Sequence, residues 1–441
     1  MGIFKAYDIR GVYGEEIDEN MAKKIGNAFA VHLQKGPIVL GQDMRVSSPS
    51  LAEAVKEGLN DAGLDVIDIG LCSTPMSYFA IGHLEAAGGV MVTASHNPAK
   101  YNGMKISREK AIPLAYETGI NKIEEIVKSG EYKTVEGRGT AKEQSITEAY
   151  ISHVLETAKD IKPLKLVIDA GNGITGSFLP EVFKALPCTV KEMYFEPDGT
   201  FPNHEANPLK PENVAELQEE VRKTNADLGM AFDGDGDRCA FVDEKGQTVG
   251  SDMVTALIGK EVLGQYPGAG ILYDLRSSRV VPETISENGG RPVRSRVGHA
   301  YMKKIMREQD IPFGGELSGH FYFKDNYYAD SGFLAMIRIL NMLSASEVPF
   351  SEMIKPLKKY HATGEVNFTV ADKDAKIEEL AGIFSDGKID YLDGITVSYD
   401  KWWFNVRKSN TEPMLRLNLE ADTQELMSEK AAEVEAILRK G

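Results

Sequence analysis

The sequence predicts an α/β protein of three similar units with parallel or mixed sheets, followed by a smaller α+β domain. Apolar segments that end at an acidic residue recur three times, at residues 37–43, 166–169 and 270–274. Turn-forming residues and then a helical pattern follow each of them, as in alternating buried strands and amphipathic helices. A chain of 441 residues is long enough for three or four domains, and we place them at residues 1–145, 146–250, 251–358 and 359–441.

The last domain differs from the first three in its pattern of elements. We expect strands at residues 365–370, 402–406 and 414–419, and helices at residues 376–384 and 423–438. The dipeptide Asp393-Gly394 is typical of a tight hairpin turn between two strands. These elements predict a separate α+β domain that is joined to the others through residues 356–364.

Composition limits the classes of partner. Lys and Arg total 50 and Asp and Glu total 66, which gives a net charge of −16. Such an acidic protein is a poor candidate for binding nucleic acid or an anionic membrane. The three cysteines form no CxxC pair, so neither a disulfide framework nor a zinc site is supported. We expect a monomer or weak homo-oligomer.

The chain also lacks the patterns of secretion and membrane insertion. Its first residues do not form a basic segment followed by an apolar one, as a signal peptide would. The longest apolar run, at residues 333–343, is interrupted by Arg338 and is too short to span a bilayer. A cytoplasmic location with no membrane partner is therefore expected.

The strongest chemical signal is the segment 233–238, in which Asp233, Asp235 and Asp237 alternate with glycines. Three like charges so close together repel one another unless a cation lies among them, and carboxylate ligands suit Mg²⁺ or Ca²⁺ better than zinc. Apolar residues flank the segment on both sides, which indicates a strand, a loop and a second strand. The sequence therefore predicts a metal-binding loop between two strands.

This segment has two alternative interpretations. Counted from Asp233, the acids match the EF-hand calcium loop through Glu244 at position 12, but position 6, which should be glycine, is Arg238. The strand-like flanks also differ from the helices of an EF-hand. A solvated acidic turn without metal is the other alternative. Arg238 is better placed to meet an anion held by the metal.

A second chemical segment, residues 93–98, places Ser95 and His96 just after a predicted buried strand at residues 88–92. A serine on a strand-end loop is exposed and can act as a nucleophile, and His96 and Lys105 add cationic or proton-transferring groups nearby. In the alternative interpretation, Ser95 only caps a turn and His96 only bonds a backbone carbonyl. A Ser-His-Asp hydrolase is disfavoured because no G-x-S-x-G motif surrounds the serine.

Two later segments contain groups suited to a sugar and to a phosphate. Glu316, Ser318 and His320 alternate between glycines, so an extended backbone would point all three to one side, as a polyol ligand requires. Residues 407–413 combine a guanidinium, hydroxyls and loop amides, which are the donors that a phosphate dianion needs. An ordinary turn between two strands is the alternative for this last segment.

Taken together, these four segments resemble the α-D-phosphohexomutase family, and its phosphomannomutase/phosphoglucomutase branch most closely. Residues 4–11 are also similar to the family's N-terminal signature, and the resemblance runs the whole length. It implies three similar α/β domains and a smaller C-terminal α+β domain around a central cleft. The phosphoserine, metal, sugar and phosphate segments would lie in the first, second, third and fourth domains respectively.

The resemblance implies a role for each matched residue. Ser95 would be the phosphoserine, and Asp233, Asp235 and Asp237 would hold Mg²⁺ against it. Residues expected to line the transfer site are Tyr7, Arg10, His96, Lys105 and Arg238, with Lys105 and His299 in general acid or base roles. Those expected on the sugar are Glu316 and Ser318 with His320 beside them, and those expected on the other phosphate are Arg276, Arg407, Ser409, Asn410 and Thr411.

The implied function is a phosphohexomutase that interconverts hexose 1-phosphate and hexose 6-phosphate, with mannose and/or glucose as the sugar. A phosphorylated hexose would be the partner, Mg²⁺ the cofactor, and a hexose 1,6-bisphosphate both intermediate and activator. Arg276 occupies a position where lysine is common, and Leu317 one where methionine is frequent, so the preferred sugar is left undecided. The alternatives are a phosphoglucosamine mutase, a phosphatase and a non-catalytic phosphosugar-binding protein.

Overall fold

The computed structural model describes residues 2–409 and 414–440, and these form four β-sheets with helices packed on them. Three sheets mix parallel and antiparallel strands, and the fourth is entirely antiparallel. The predicted class, three α/β units and a smaller C-terminal α+β unit, is confirmed. We call these the first to fourth units, in chain order.

The first unit has a seven-stranded sheet in the order β1-β5-β4-β2-β3-β7, with β6 paired to β5. Strands β2, β3, β4 and β7 are parallel, whereas β1, β5 and β6 pair antiparallel. The strands are β1 Ile9–Val12, β2 Ile38–Gln42, β3 Val66–Leu71, β4 Gly88–Val92, β5 Tyr101–Arg108, β6 Ile112–Pro113 and β7 Ala141–Glu143. The helices are α1 Glu19–Leu33, α2 Ser48–Asp61, α3 Thr74–His83 and α4 Ile120–Ser129, with short 3₁₀ turns at Glu109–Ala111 and Tyr116–Thr118.

The second unit is built on a five-stranded sheet in the order β12-β11-β10-β8-β9. Its strands are β8 Lys165–Asp169, β9 Thr189–Met193, β10 Leu228–Phe232, β11 Cys239–Asp243 and β12 Thr248–Val249. Its helices are α5 Thr147–Leu155, α6 Leu179–Lys184 and α7 Pro211–Thr224, with a 3₁₀ turn at Ile174–Ser177. The predicted strand, loop and strand around the three aspartates are therefore β10, residues 233–238 and β11.

The third unit repeats this plan with the order β14-β13-β15-β16-β17. Its strands are β13 Gly270–Asp274, β14 Arg291–Ser295, β15 Phe313–Gly315, β16 Phe321–Phe323 and β17 Ala329–Asp330. Its helices are α8 Ser251–Gln265, α9 Val280–Glu287, α10 His299–Glu308, α11 Gly332–Ala345 and α12 Phe350–Ile354, with 3₁₀ turns at Lys324–Asn326 and Lys355–Leu357.

The fourth unit has the order β18-β22-β21-β20-β19. Its strands are β18 His361–Phe368, β19 Lys388–Asp390, β20 Ile395–Ser398, β21 Trp402–Lys408 and β22 Leu415–Ala421, and its helices are α13 Lys373–Ile383 and α14 Gln424–Leu438. The predicted hairpin is β19 and β20, with Gly394 at φ +67 in the turn. Its apolar cluster draws all its members from residues 366–438.

The first three units, in contrast, share one large apolar core. This core contains Val39 of the first sheet, Phe232 of the second and Phe313 of the third, together with most of α11. Because α11 is buried in it, the long apolar run of the sequence is explained by packing between units. Within the described residues, no single helix is long and apolar enough to cross a membrane; α11 and Phe350–Leu357, bent by 99°, pass only as a pair.

Candidate functional site

Ser95 lies just beyond the end of β4, in the turn that leads to β5. Its backbone is in the left-handed region, with φ +51, and its amide donates to Thr93 Oγ1 at 2.9 Å. Its Oγ donates to Asp233 Oδ2 at 2.9 Å and lies 3.1 Å from His96 Nδ1. The structure therefore brings the predicted serine of the first unit to the acidic loop of the second.

Glycines allow the acidic loop to approach the serine so closely. A Cβ atom added at Gly234 would lie 2.5 Å from Ser95 O, so any larger residue would push the two loops apart. Gly236 has φ +76, a left-handed conformation that glycine adopts without steric cost. The Gly236 and Arg238 amides donate to Asp233 Oδ1 at 3.1 and 3.2 Å, and these bonds orient its other oxygen toward Ser95.

The three aspartates are buried, and each offers an oxygen within 4.8 Å of the others. Burial, followed by repulsion from Asp237 and Asp235, raises the pKa of Asp233 well above its usual range. Asp235 Oδ1 and Asp237 Oδ1 accept no hydrogen bond from any described residue. Crowded, buried carboxylates with unused oxygens are what a divalent cation with oxygen ligands requires. The residues present therefore fit a metal such as Mg²⁺.

Two side chains of the first unit hold the acidic loop. Lys105 Nζ contacts Asp235 Oδ2 and Asp237 Oδ2, each at 2.6 Å. Although burial acts to lower it, these two carboxylates raise the pKa of Lys105 well above its usual range. Thr74 Oγ1 donates to Asp235 Oδ2 at 2.6 Å, and Ser73 caps the start of α3 so that Thr74 begins the helix at this point.

The acidic loop is also paired with the sugar segment of the third unit. Arg238 and His320 form an isolated antiparallel bridge, and the Cys239 amide donates to Gly319 O at 3.3 Å. The two side chains meet as well, with Arg238 Nε 3.4 Å from His320 Nε2, which is in turn 3.3 Å from Asp237 Oδ1. Serine, aspartates and sugar segment therefore belong to one site formed by three units.

The sugar segment differs from the sequence-based expectation in its backbone. An extended chain was expected, but residues 316–320 form a tight turn between β15 and β16, with Gly319 at φ +83 and a bond from the Gly319 amide to Glu316 O. The expectation was wrong because the flanking strands pair antiparallel and must reverse within these few residues. Glu316 and Ser318 still lie close to His320, whose Nδ1 is 2.9 Å from Ser318 Oγ and 3.7 Å from Glu316 Oε2.

Glu316 is held in place from two directions. It accepts the Gly298 amide at 3.0 Å through Oε1 and the Tyr322 hydroxyl through Oε2. Since Gly298 immediately precedes α10, the first of these bonds fixes His299 relative to the sugar segment. His299 Nδ1 has no hydrogen-bond partner among the described residues. Burial, then the nearby Lys303 and Lys105, lowers the pKa of His299 well below its usual range.

The remaining transfer-site residues come from the first unit. Tyr7 donates to Val297 O at 3.1 Å and packs edge-on against the His299 ring, with centroids 5.5 Å apart. Arg10 donates to Asn97 Oδ1 and Asp8 Oδ2. His96 lies beside Ser95, and burial followed by Arg238 and Arg10 lowers its pKa well below the usual range. All three predicted residues therefore lie around the serine or His299.

Arginines of the third and fourth units meet at Glu365 of β18. Arg407 NH2 and Arg416 NH1 each lie 2.7 Å from its carboxylate, and Arg276 NH1 lies 3.4 Å from it. Asp274 fixes Arg276 through bonds of 3.1 and 2.8 Å, and it also accepts the Leu317 amide at 2.7 Å. Three guanidinium groups beside two carboxylates, Glu365 and Asp274, leave one positive charge in excess, which favours binding of an anion such as phosphate.

The other predicted phosphate residues follow β21. Ser409 donates its amide to Met414 O at 2.9 Å, which closes the loop between β21 and β22. Asn410 and Thr411 lie outside the described residues. The segment therefore connects two adjacent strands, and its Arg407 reaches Glu365.

Sequence analysis missed several residues of the site. Thr74, Asp274, Tyr322 and Glu365 each bond a predicted residue and are named by no motif. For Asp274 a signal existed, because it is the acid that ends the third recurring strand. Thr74 begins a helix, and Tyr322 and Glu365 lie in strands. Their partners lie in other segments, and no sequence motif connects those segments to them.

A serine facing three aspartates where three α/β units meet, with an arginine cluster on an antiparallel fourth unit, is the arrangement of a phosphosugar mutase. Four family models agree, each a domain of phosphoglucomutase/phosphomannomutase: the α/β/α domains I, II and III match residues 1–134, 148–246 and 250–360, and the C-terminal domain matches residues 365–437. The chain belongs to the phosphoglucomutase/phosphomannomutase family, and it is a phosphohexomutase.

Individual relatives are similar over their whole length. A protein of Xanthomonas campestris pv. campestris called phosphohexose mutases is 41% identical over 444 residues, with 99% of both chains covered. A phosphomannomutase of Escherichia coli is 40% identical over 451 residues, with 99% of both covered. The crystal structure of a phosphoglucomutase/phosphomannomutase family protein from Burkholderia thailandensis has a TM-score of 0.92 at 34% identity, covering 99% of this chain and 97% of that one.

Proposed function

We propose that this phosphohexomutase interconverts the 1- and 6-phosphates of mannose and/or glucose through phospho-Ser95 and a hexose 1,6-bisphosphate. The contact that carries the proposal is the 2.9 Å hydrogen bond from Ser95 Oγ to Asp233 Oδ2, inside a buried cluster of three aspartates. A serine hydroxyl that only capped a turn would not need three carboxylates from another unit around it.

Two transfers with opposite directions would complete one turnover. In the first, the bond between phosphorus and Ser95 Oγ breaks while one forms to the free hydroxyl of the hexose monophosphate, whose proton leaves to a base. The bisphosphate then turns round, and its other phosphate moves to Ser95 as the sugar oxygen takes up a proton. The enzyme is thereby returned to its phosphorylated state, and no phosphate is released to water.

Asp233, Asp235 and Asp237 would hold Mg²⁺ beside Ser95, where the ion would neutralise charge on the phosphoryl oxygens. Arg238 Nε is 3.7 Å from Asp233 Oδ2, which places a guanidinium at the same point. Arg10 and His96 would add donors around the phosphoryl group. Such groups act mainly by position and charge, because phosphoryl transfer requires little else from a protein.

The proton-transfer roles follow from opposite shifts in pKa. The lowered pKa of His299 keeps its imidazole neutral, with Nδ1 or Nε2 able to accept a proton from the sugar hydroxyl. The raised pKa of Lys105 keeps it protonated, as a donor must be before transfer, although the same shift makes it a weaker acid. Tyr7, packed against the His299 ring, would hold that ring in position.

The phosphate that is not transferred would bind at the arginine cluster around Glu365, with Ser409, Asn410 and Thr411 completing the site. Glu316, Ser318 and His320 would contact the sugar hydroxyls between the two phosphate positions. Because the fourth unit meets the third through polar contacts, it could move away to let the bisphosphate reorient and then close again to exclude water. We extend the proposal to a cytoplasmic monomer or weak homo-oligomer without nucleic-acid or membrane partners.

An isomerisation assay tests the proposal. Glucose 1-phosphate and mannose 1-phosphate are supplied separately with Mg²⁺ and a trace of glucose 1,6-bisphosphate, and hexose 6-phosphate is measured. We expect Ser95→Ala to lose at least about 1,000-fold in kcat, because the nucleophile is absent. Ser50→Ala is the matched control, since its hydroxyl bonds Glu19 at an exposed position of the same unit.

The two rates rank the sugars, and glucosamine 1-phosphate is the third substrate in the series. Free phosphate in place of an isomer would indicate a phosphatase. Failure of all three sugars to isomerise, with the wild-type protein folded and Mg²⁺ present, would reject the proposed reaction.

A further inference from the structure

Among the residues that the structure describes, Arg45 is one of the largest fully buried side chains, with 1% of its surface exposed. It follows β2 in the first unit, close to the end of the strand beside β4. Burial of a guanidinium is costly unless its donors are paired, so the groups around it indicate what it does. No motif of the transfer site includes this residue.

Its guanidinium donates to four backbone carbonyls of the turn that contains Ser95. NH2 bonds Ser95 O at 2.8 Å and Asn97 O at 2.6 Å. NH1 bonds Pro98 O at 3.0 Å and Tyr101 O at 2.9 Å. The turn from β4 to β5 is therefore wrapped around one planar side chain.

Arg45 is itself fixed from two sides. Asp43 lies 3.3 Å from its Nε and also accepts the Arg45 amide at 3.0 Å. On the other side, the ring of Phe201 lies 5.1 Å from the guanidinium carbon. Phe201 belongs to the second unit, and neighbouring Gly199 approaches Arg45 so closely that a Cβ there would be 2.6 Å from its Cα. The guanidinium thus lies between the serine turn and the unit that carries the aspartates.

We propose that Arg45 is a positioning residue for phosphoryl transfer, which holds Ser95 in its left-handed conformation and directs its Oγ at Asp233. A non-glycine residue at φ +51 is strained and needs its surroundings to hold it there. The bond from Arg45 to Ser95 O acts on the strained residue directly, and the other three fix the chain beyond it. The role of Ser95 as nucleophile rests on the function proposed above.

Lysine cannot replace this side chain, because its single ammonium nitrogen cannot reach carbonyls that two guanidinium nitrogens serve from one plane. For Arg45→Lys we expect kcat to fall about 100-fold with KM changed less than about threefold, as misplacement of a reacting group by about 1 Å produces. Hydrogen exchange in peptides covering residues 94–102 should become at least about tenfold faster, since the turn would open more often.

Arg338→Lys is the matched control. Arg338 is also buried, and its NH1 lies 3.2 Å from Glu261 in the third unit, away from the serine. The Arg338→Lys variant should lose about as much thermal stability as Arg45→Lys, while its kcat and the hydrogen-exchange rate of residues 94–102 stay as in wild type. If in both variants the loss of activity only equals the loss of folded protein, Arg45 is purely structural and the proposal is overturned.

Asp43→Asn serves if Arg45→Lys does not fold. It removes the charge that faces Arg45 Nε but retains an acceptor for the Arg45 amide, so it should lower kcat and speed exchange in the same turn. Wild-type kcat and exchange in this variant would overturn the proposal. A wild-type protein that isomerises no hexose phosphate rejects the proposed function instead, and the exchange measurement then decides the role of Arg45 alone.

Discussion

Ser95 Oγ and Asp233 Oδ2 lie 2.9 Å apart although 138 positions separate them in the chain and different sheets carry them. Ser95 follows a strand of the first sheet, and Asp233 follows a strand of the second, so each is placed by its own unit. Their distance therefore depends on how the two units pack, and substitutions at that boundary should affect chemistry before they affect folding.

Thr74→Val should weaken Mg²⁺ binding by about tenfold while the protein stays folded. The exchange of a hydroxyl for a methyl group removes the 2.6 Å bond to Asp235 Oδ2, so that Lys105 orients this carboxylate without help from the hydroxyl. Calorimetric titration with Mg²⁺ measures the change. Thr284→Val, a buried threonine in α9, is the control. Unchanged affinity in the Thr74 variant would mean that Asp235 needs no such support.

Lys303→Met should destabilise the protein by about 3–5 kcal/mol, because it leaves the Asp330 carboxylate buried without its ammonium partner. Lys303 Nζ lies 2.7 Å from Asp330 Oδ1, with both side chains out of contact with water, and 3.8 Å from the centroid of the Tyr78 ring. The midpoint of thermal unfolding shows the loss.

Lys324→Met is the comparison for that pair. Lys324 makes an equally short ion pair with Asp310, but the pair is exposed, so its removal should leave the unfolding midpoint nearly unchanged. Equal midpoints of thermal unfolding for the two variants would show that the buried ion pair of Lys303 contributes no more to stability than the exposed pair of Lys324.

Tyr322→Phe should raise KM for the hexose phosphate about tenfold with a smaller effect on kcat. The Tyr322 hydroxyl donates to Glu316 Oε2, and a hydrogen bond to a charged acceptor contributes about 1.5–3 kcal/mol. Tyr328→Phe, which removes an exposed bond to Asp310, should leave KM unchanged. A pure loss of kcat would assign Glu316 to the chemical step rather than to sugar binding.

Glu365 should make stability depend on pH at the acid end. Burial acts to raise the pKa of Glu365, but Arg276, Arg407 and Arg416 together lower it below its usual range. Since the folded pKa is the lower one, its contribution is fully present above about pH 4.3, the usual value, and is lost as pH falls through the lowered pKa. The difference in unfolding midpoint between wild type and Glu365→Gln should shrink in that window.

Glu420 provides a control of opposite sign. Burial raises the pKa of Glu420, so stability linked to its protonation grows as pH falls through the raised value toward the usual one. The unfolding midpoint of Glu420→Gln should therefore approach that of wild type at low pH because wild type gains stability there. For Glu365→Gln, the midpoints approach each other because wild type loses stability. Parallel pH curves for wild type and Glu365→Gln would contradict the assigned ion pairs.

Much of the fold was predictable because each unit has a local sequence pattern. The acid-ended strands at residues 37–43, 166–169 and 270–274 correspond to β2, β8 and β13. In the fourth unit, the expected helix at residues 423–438 is α14, capped by Thr423. The boundaries between units at residues 145, 250 and 358 remain predictions. Strand and helix patterns do not specify where one unit stops.

The site was predictable where chemistry needs several special residues close together in the chain. The three aspartates and Ser95 have such motifs, and the structure brings them together. Arg45 and Lys303 have none, because their contacts are with carbonyls and carboxylates of other segments. The turn at residues 316–320 was missed because alternation alone does not reveal that the flanking strands pair with each other.

The fourth unit has an apolar core of its own and meets the third through ion pairs such as Arg276 with Glu365 and Arg294 with Asp390. In a shared apolar core, a substitution in one unit requires compensating changes in its neighbour. Ion pairs at a boundary can instead be replaced one pair at a time. The residues that bind the phosphate that is not transferred can therefore change while those that transfer the phosphoryl group stay the same. In lineages that descend from such a chain, substitutions within residues 361–440 are expected to alter how the distal phosphate is held while the sugar contacts at residues 316–320 of the third unit persist.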